Sequence, residues 1–106
     1  MIRIAIVDDD RKFSSELEIL IKKIIEKLND HSMIKNYDNS YNLLDDIKQN
    51  RRFDVYFFDV EMPGINGLEL AKKIREEDQS ANIVFISAFP QYAISSYKIH
   101  AYYNWK

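Results

Sequence analysis

The sequence predicts an α/β protein, an open parallel sheet with helices on both faces. Short apolar runs alternate, from end to end, with segments whose apolar residues recur at steps of three and four. Right-handed crossovers then leave few ways to order the strands. Two of the runs, Ile2–Val7 and Val55–Phe58, stop abruptly in carboxylates. Parallel strands that end at the same sheet edge would gather those carboxylates in one place, outside the strand ends where ligands bind in such sheets.

Each element has its own signal. Ile2 to Val7 is β-branched and reads as a buried strand. Phe13, Leu17, Leu20, Ile21, Ile24 and Leu28 then mark one face of a helix, with Asp10 as N-cap. Met33 to Tyr37 is a second strand. Asp38 or Ser40 caps a second helix, whose apolar face holds Tyr41, Leu44 and Ile47. Val55 to Phe58 is the third strand and the most apolar. Leu68, Leu70, Ala71 and Ile74 line a third helix ending near Asp78. Ile83 to Ile86 is a fourth strand, closed by Ser87. Tyr92 to Ile99 reads as a fourth helix and Ala101 to Trp105 as a fifth strand. A last helix after that strand would cover the face shared with the first helix. It is missing, so we expect a truncated domain or an apolar patch covered by another copy.

The bulk numbers narrow the function classes. At 106 residues the chain fits one domain, and 46% hydrophobic with 30% charged residues suits a globular protein. A net charge of −2 gives no electrostatic case for nucleic acid or an anionic membrane. The absence of cysteine excludes disulfides, thiolate metal sites and cysteine nucleophiles, and fits a cytoplasmic setting. Asp8 arrives too early for a signal-peptide core, and no apolar run approaches the roughly 20 residues of a membrane span.

The chemistry rests on acidic residues. Asp59 follows four apolar or aromatic residues, which points to a desolvated carboxylate, costly unless paired. Taken alone it would be an ordinary strand-terminal aspartate bonded to loop amides. Asp8 and Asp9 at the other strand tip change that, because three carboxylates together repel one another unless a divalent cation joins them. Magnesium, which takes a few carboxylates plus waters and phosphate oxygens, matches this inventory. A carboxylate held beside it could accept a phosphoryl group. Ser87 could donate a hydrogen bond to that group, although by itself it reads as a serine opening a turn. Gly64 and Gly67 are the two glycines, so neither a dinucleotide fingerprint nor a Walker loop exists. They read as turn and helix-entry residues. His31 and His100 lack metal-ligand spacing and read as surface residues. Tyr97, Tyr102 and Tyr103 read as core or interface.

Together these motifs resemble the receiver domains of two-component response regulators, over nearly the whole chain. Ile4-Ala5-Ile6-Val7-Asp8-Asp9-Asp10 looks like the family's first strand and acidic pair. Asp54 to Gly67 looks like its phosphoacceptor strand and Pro-Gly loop, and Val84-Phe85-Ile86-Ser87-Ala88 like its strand ending in Ser or Thr. The resemblance implies a doubly wound, five-stranded flavodoxin-like sheet of order 2-1-3-4-5 spanning residues 1–106. It also implies that Asp59 is the phosphoacceptor and that Asp9, Asp59 and the Glu61 main-chain carbonyl bind Mg2+ directly. Asp8 would act through water, and Ser87 would contact the phosphoryl group and act in the switch. The family's lysine at the end of strand five falls one place beyond Lys106 when counted from Ala101. Either the strand is one residue short and Lys106 serves, or the lysine is absent. The aromatic switch position falls on Asn104 by direct counting and on Tyr103 with the same shift.

The implied function is phosphoacceptor signalling rather than enzymatic turnover. The implied partners are a sensor histidine kinase and an output domain, DNA-binding in kind and absent here, with a homodimer as a further state. Phe89-Pro90-Gln91-Tyr92-Ala93-Ile94 and the Glu61–Gly64 loop look most like receivers joined to LytTR-type DNA-binding domains. Two alternatives belong to other classes. A pseudo-receiver would bind partners without phosphorylation. An aspartate-nucleophile phosphatase would need a second aspartate two residues after the first, where this chain has Glu61.

Overall fold

Strand formation follows the apolar runs closely. The computed structural model describes residues 1–87 and 102–105, the side chains of Ser87 and of 102–105 aside. Its elements are β1 (Ile2–Val7), α1 (Arg11–Lys27), β2 (Ser32–Tyr37), α2 (Ser40–Lys48), β3 (Val55–Phe58), α3 (Gly67–Glu77), β4 (Asn82–Ser87) and β5 (Tyr102–Trp105). The helix expected at 92–99 lies outside the described residues. All neighbouring strands pair in parallel, in the order β2-β1-β3-β4-β5. The five-stranded doubly wound sheet is therefore as expected. Its strand order reverses between β1 and β3, which opens a crevice at their carboxyl ends.

The two sheet faces carry separate cores. On one, Ala5, Val7, Tyr56, Phe58, Ile83 and Phe85 pack against Leu43 and Ile47 of α2 and Leu70, Ala71 and Ile74 of α3. A file of rings, Tyr37–Phe53–Tyr56–Phe58–Phe85, runs through this core with centroids 5.7–6.2 Å apart. Tilted and edge-on contacts of this kind add to simple burial. On the other face, Ile21 and Ile25 of α1 close over Ile4 and Ile6, while Val55 and Phe57 remain partly exposed.

Three expectations about helix faces need correction. On α1, Ile21 is buried as expected, but Leu20, Ile24 and Leu28 are exposed, and Ser14 and Ile25 are buried in their place. One helix meets a sheet along one ridge, so a broad apolar stripe cannot all be covered by it. On α2, the N-cap is Asn39, whose side chain accepts from the Asn42 N–H at 3.0 Å. Asp38 instead faces Arg11 at 3.8 Å, and the Ser40 hydroxyl turns inward. The buried face of α2 is Ser40, Leu43, Asp46 and the expected Ile47, with Leu44 partly buried and Tyr41 on the outside. The caps of α1 and α3 are simpler: Asp10 accepts from the Phe13 N–H at 3.1 Å, and Asn66 from the Glu69 N–H at 3.0 Å.

Candidate functional site

The register of the central strands builds the site. Val7 of β1 pairs with Phe58 of β3, so Asp8 and Asp59 leave the sheet side by side. Both backbones are still held by neighbouring strands. The Asp8 N–H donates to the Tyr37 carbonyl and the Asp59 N–H to the Val7 carbonyl, each at 3.1 Å. One carboxylate oxygen from each of Asp8, Asp9 and Asp59 lies within 4.8 Å of the others. Asp8 and Asp59 are buried and Asp9 is exposed.

The three successive aspartates divide their roles. Asp10 caps α1. Asp8 turns inward, its carboxylate accepting from the Asp10 N–H at 2.9 Å. Asp9 stays in solvent at the mouth of the cluster. On the other strand, the Asp59 carboxylate accepts from the Glu61 N–H at 3.3 Å, which fixes its direction within the loop. The same loop is closed by the Gly67 N–H donating to the Val60 carbonyl at 3.0 Å. Gly67 has no substitute there, because an added Cβ would stand 2.4 Å from the Asp59 carbonyl oxygen. Gly64 supplies the left-handed turn, with φ +76.

Hard oxygen donors without nitrogen or sulfur suit Mg2+ or Ca2+ rather than zinc. Two buried carboxylates with a third that is exposed fit a divalent cation held at the edge of the sheet. Glu61 sits two residues past Asp59 with an exposed side chain, so a contribution from it would come through the main chain. Ser87 ends β4 at the same sheet edge, where it pairs with Trp105. Its side chain, that of Tyr103 and the whole of Lys106 lie outside the described residues.

Sequence reasoning missed a second polar cluster on the edge of the sheet beyond β1. Asp46 on α2 is buried and accepts from Lys35 at 2.8 Å, Arg51 at 3.0 Å and the Tyr37 hydroxyl. The Lys35 bond first, and then that of Tyr37, hold its carboxyl down at about 2. Burial, reinforced by the Asp46 carboxylate, pushes the Tyr37 hydroxyl up. An aspartate at an inward helical position was the available signal.

A family model of the response regulator receiver domain matches residues 4–103. The chain belongs to this family. Among curated relatives of this receiver domain, the sensory transduction protein LytT of Oceanobacillus iheyensis is 36% identical over 102 residues, 94% of this chain and 39% of that protein. The receiver domain thus spans well under half of that relative's length. Among solved structures, the response regulator TrrA from Thermotoga maritima in complex with Mg2+-BeF is 30% identical, with a TM-score of 0.74 over 100% of this chain and 87% of that one. TrrA in complex with the histidine kinase ThkA superimposes with a TM-score of 0.72 at 30% identity, over 100% of this chain and 86% of that one. Among the described residues, no helix of the receiver domain is long and apolar enough to cross a membrane.

Proposed function

We propose that this receiver domain takes a phosphoryl group from the phosphohistidine of a sensor histidine kinase onto Asp59. The observation that carries the reading is the meeting of Asp8, Asp9 and Asp59 at the carboxyl ends of β1 and β3. An Asp59 oxygen attacks phosphorus, an O–P bond forms, and the P–N bond to the imidazole breaks with its electron pair left on nitrogen. The Glu61 N–H donates to the Asp59 carboxylate and so helps to fix its direction for attack. Asp8 and Asp9, with Asp59 and the Glu61 carbonyl, would hold Mg2+. When bound, that ion supplies positive charge against the carboxylates and the transferred oxygens. Ser87, and Lys106 if it reaches the edge, would bond the phosphoryl oxygens. Ser87 and Tyr103 would carry the switch.

The domain, residues 1–106, would serve as the receiver of a longer cytoplasmic regulator with a DNA-binding output. TrrA's complex with ThkA supports the kinase partner, and the sensory transduction protein LytT, much longer than this chain, supports an output domain. No turnover of a free substrate is part of this reading. The test is intact-protein mass after incubation with acetyl phosphate and Mg2+. One phosphoryl adduct on the parent and none on Asp59→Ala is the expected result. Silence of the parent, in the presence of Mg2+, would move the reading to a phosphorylation-independent interaction module.

A further inference from the structure

The first turn of α2 reaches across to the loop that leaves Asp59. Asn39 performs the capping, so the Ser40 hydroxyl is available for another task. Ser40 is fully buried, and its hydroxyl donates to the Ile65 carbonyl at 2.8 Å. Tyr41 follows it and lies against Gly64: a Cβ on that glycine would stand 2.7 Å from the Tyr41 hydroxyl oxygen and 2.9 Å from its ring. Core burial does not account for this contact, because Tyr41 is 52% exposed. Two consecutive helix residues therefore grip two consecutive loop residues. The loop's ends are tied by Glu61 to the Asp59 carboxylate and by Gly67 to Val60.

We propose that Ser40 and Tyr41 are positioning residues for the acidic site. Through Ile65 and Gly64 they hold the loop that carries Glu61, and so set the cation affinity of the Asp8–Asp9–Asp59 cluster. The inference rests on the reading of that cluster as an Mg2+ site completed by the Glu61 carbonyl. Groups that hold a metal ligand from behind typically change affinity by about 10- to 100-fold when removed.

The test is calorimetric titration of the full chain with Mg2+ alone, without a phosphoryl donor. Ser40→Ala, Tyr41→Ala, Tyr41→Phe and Leu44→Ala are compared with the parent, and each is also melted in EDTA. Leu44 lies on the same helix and packs on the core, and it is not among the carboxylates of the acidic site. Ser40→Ala and Tyr41→Ala should each bind Mg2+ about tenfold more weakly. Tyr41→Phe, which keeps the ring on Gly64, should bind like the parent, and so should Leu44→Ala despite a lower melting temperature. Parent-like binding by Tyr41→Ala overturns the proposal, and it does so even if Ser40→Ala fails to fold. Equal weakening by Leu44→Ala also overturns it, by tracing the effect to general loosening of α2. A parent that gives no Mg2+ heat removes the underlying reading of the cluster, an outcome distinct from a binding parent whose variants bind equally well.

Discussion

Asp59 owes its place to backbone constraints on either side of it. Its N–H is held by Val7, its carboxylate by Glu61, and its carbonyl by the close approach of Gly67. Asp59→Asn keeps the shape and an acceptor for the Glu61 N–H but removes one of three like charges. Unit charges under 5 Å apart repel by about 1 kcal/mol even in water. Asp59→Asn should therefore unfold in urea at an equal or higher midpoint than the parent in EDTA, while showing no phosphoryl adduct by mass. A lower midpoint would mean that the carboxylates do not oppose one another. Gly67→Ala is the complementary case, since the backbone must move to admit the methyl. It should cost about 1–3 kcal/mol in urea unfolding, as overpacked sites do. The same variant should slow phosphoryl uptake, because the displaced atom belongs to Asp59.

Among the elements, α2 is the one whose role the sequence disguised. Its pattern of Tyr41, Leu44 and Ile47 placed Ile47 correctly and Leu44 at the core margin, but put Tyr41 inside where Ser40, Leu43 and Asp46 are buried. Leu43 is as apolar as Leu44, so periodicity alone could not choose between them. The choice is made by Asp46, which sits four residues C-terminal to Asn42 and turns inward to meet Lys35, Tyr37 and Arg51. This cluster ties α2 to β2 and has a pH signature. The Asp46 carboxyl titrates at about 2 in the folded chain against an ordinary 3.8, so the folded state binds its proton less readily than the unfolded one. Its contribution is complete above pH 3.8 and drains away as pH falls toward about 2. Asp46→Asn should cost about 1–2 kcal/mol at neutral pH, the partly exposed partners keeping the figure modest. The gap to the parent should narrow below pH 4 in urea titrations. A gap that stays constant down to pH 2.5 would show that the charge on Asp46 is immaterial.

At the scale of the molecule, the sheet order brings together residues 51 positions apart in sequence, Asp8 and Asp59, by making β1 and β3 neighbours. The same order places α1 on the face opposite α2 and α3. On that side Leu20, Ile24 and Leu28 face outward along one flank of α1. A second copy is the proposed cover for this flank. Sedimentation velocity at high protein concentration should then show a dimer, and Leu20→Glu with Ile24→Glu should abolish it. A parent that sediments as a monomer throughout would refute self-association through this surface.

The sequence by itself determined the α/β class, all the strands now described and the three carboxylates that the fold brings together, Asp8, Asp9 and Asp59. Short β-branched runs between amphipathic segments have few other ways to bury their apolar atoms, and a carboxylate at a strand tip is visible without coordinates. The strand order came from family resemblance, since local patterns do not say which strands are neighbours. Tertiary structure alone decided which ridge of α1 is covered, which face of α2 is buried, and where Ser40, Tyr41 and Asp46 point. Each of those depends on what a second element offers across a gap: a carbonyl on Ile65 for Ser40, a bare Cα on Gly64 for Tyr41, two cations and a phenol for Asp46. Periodicity describes how a helix could be buried, and only the packed partner selects the side chains that are.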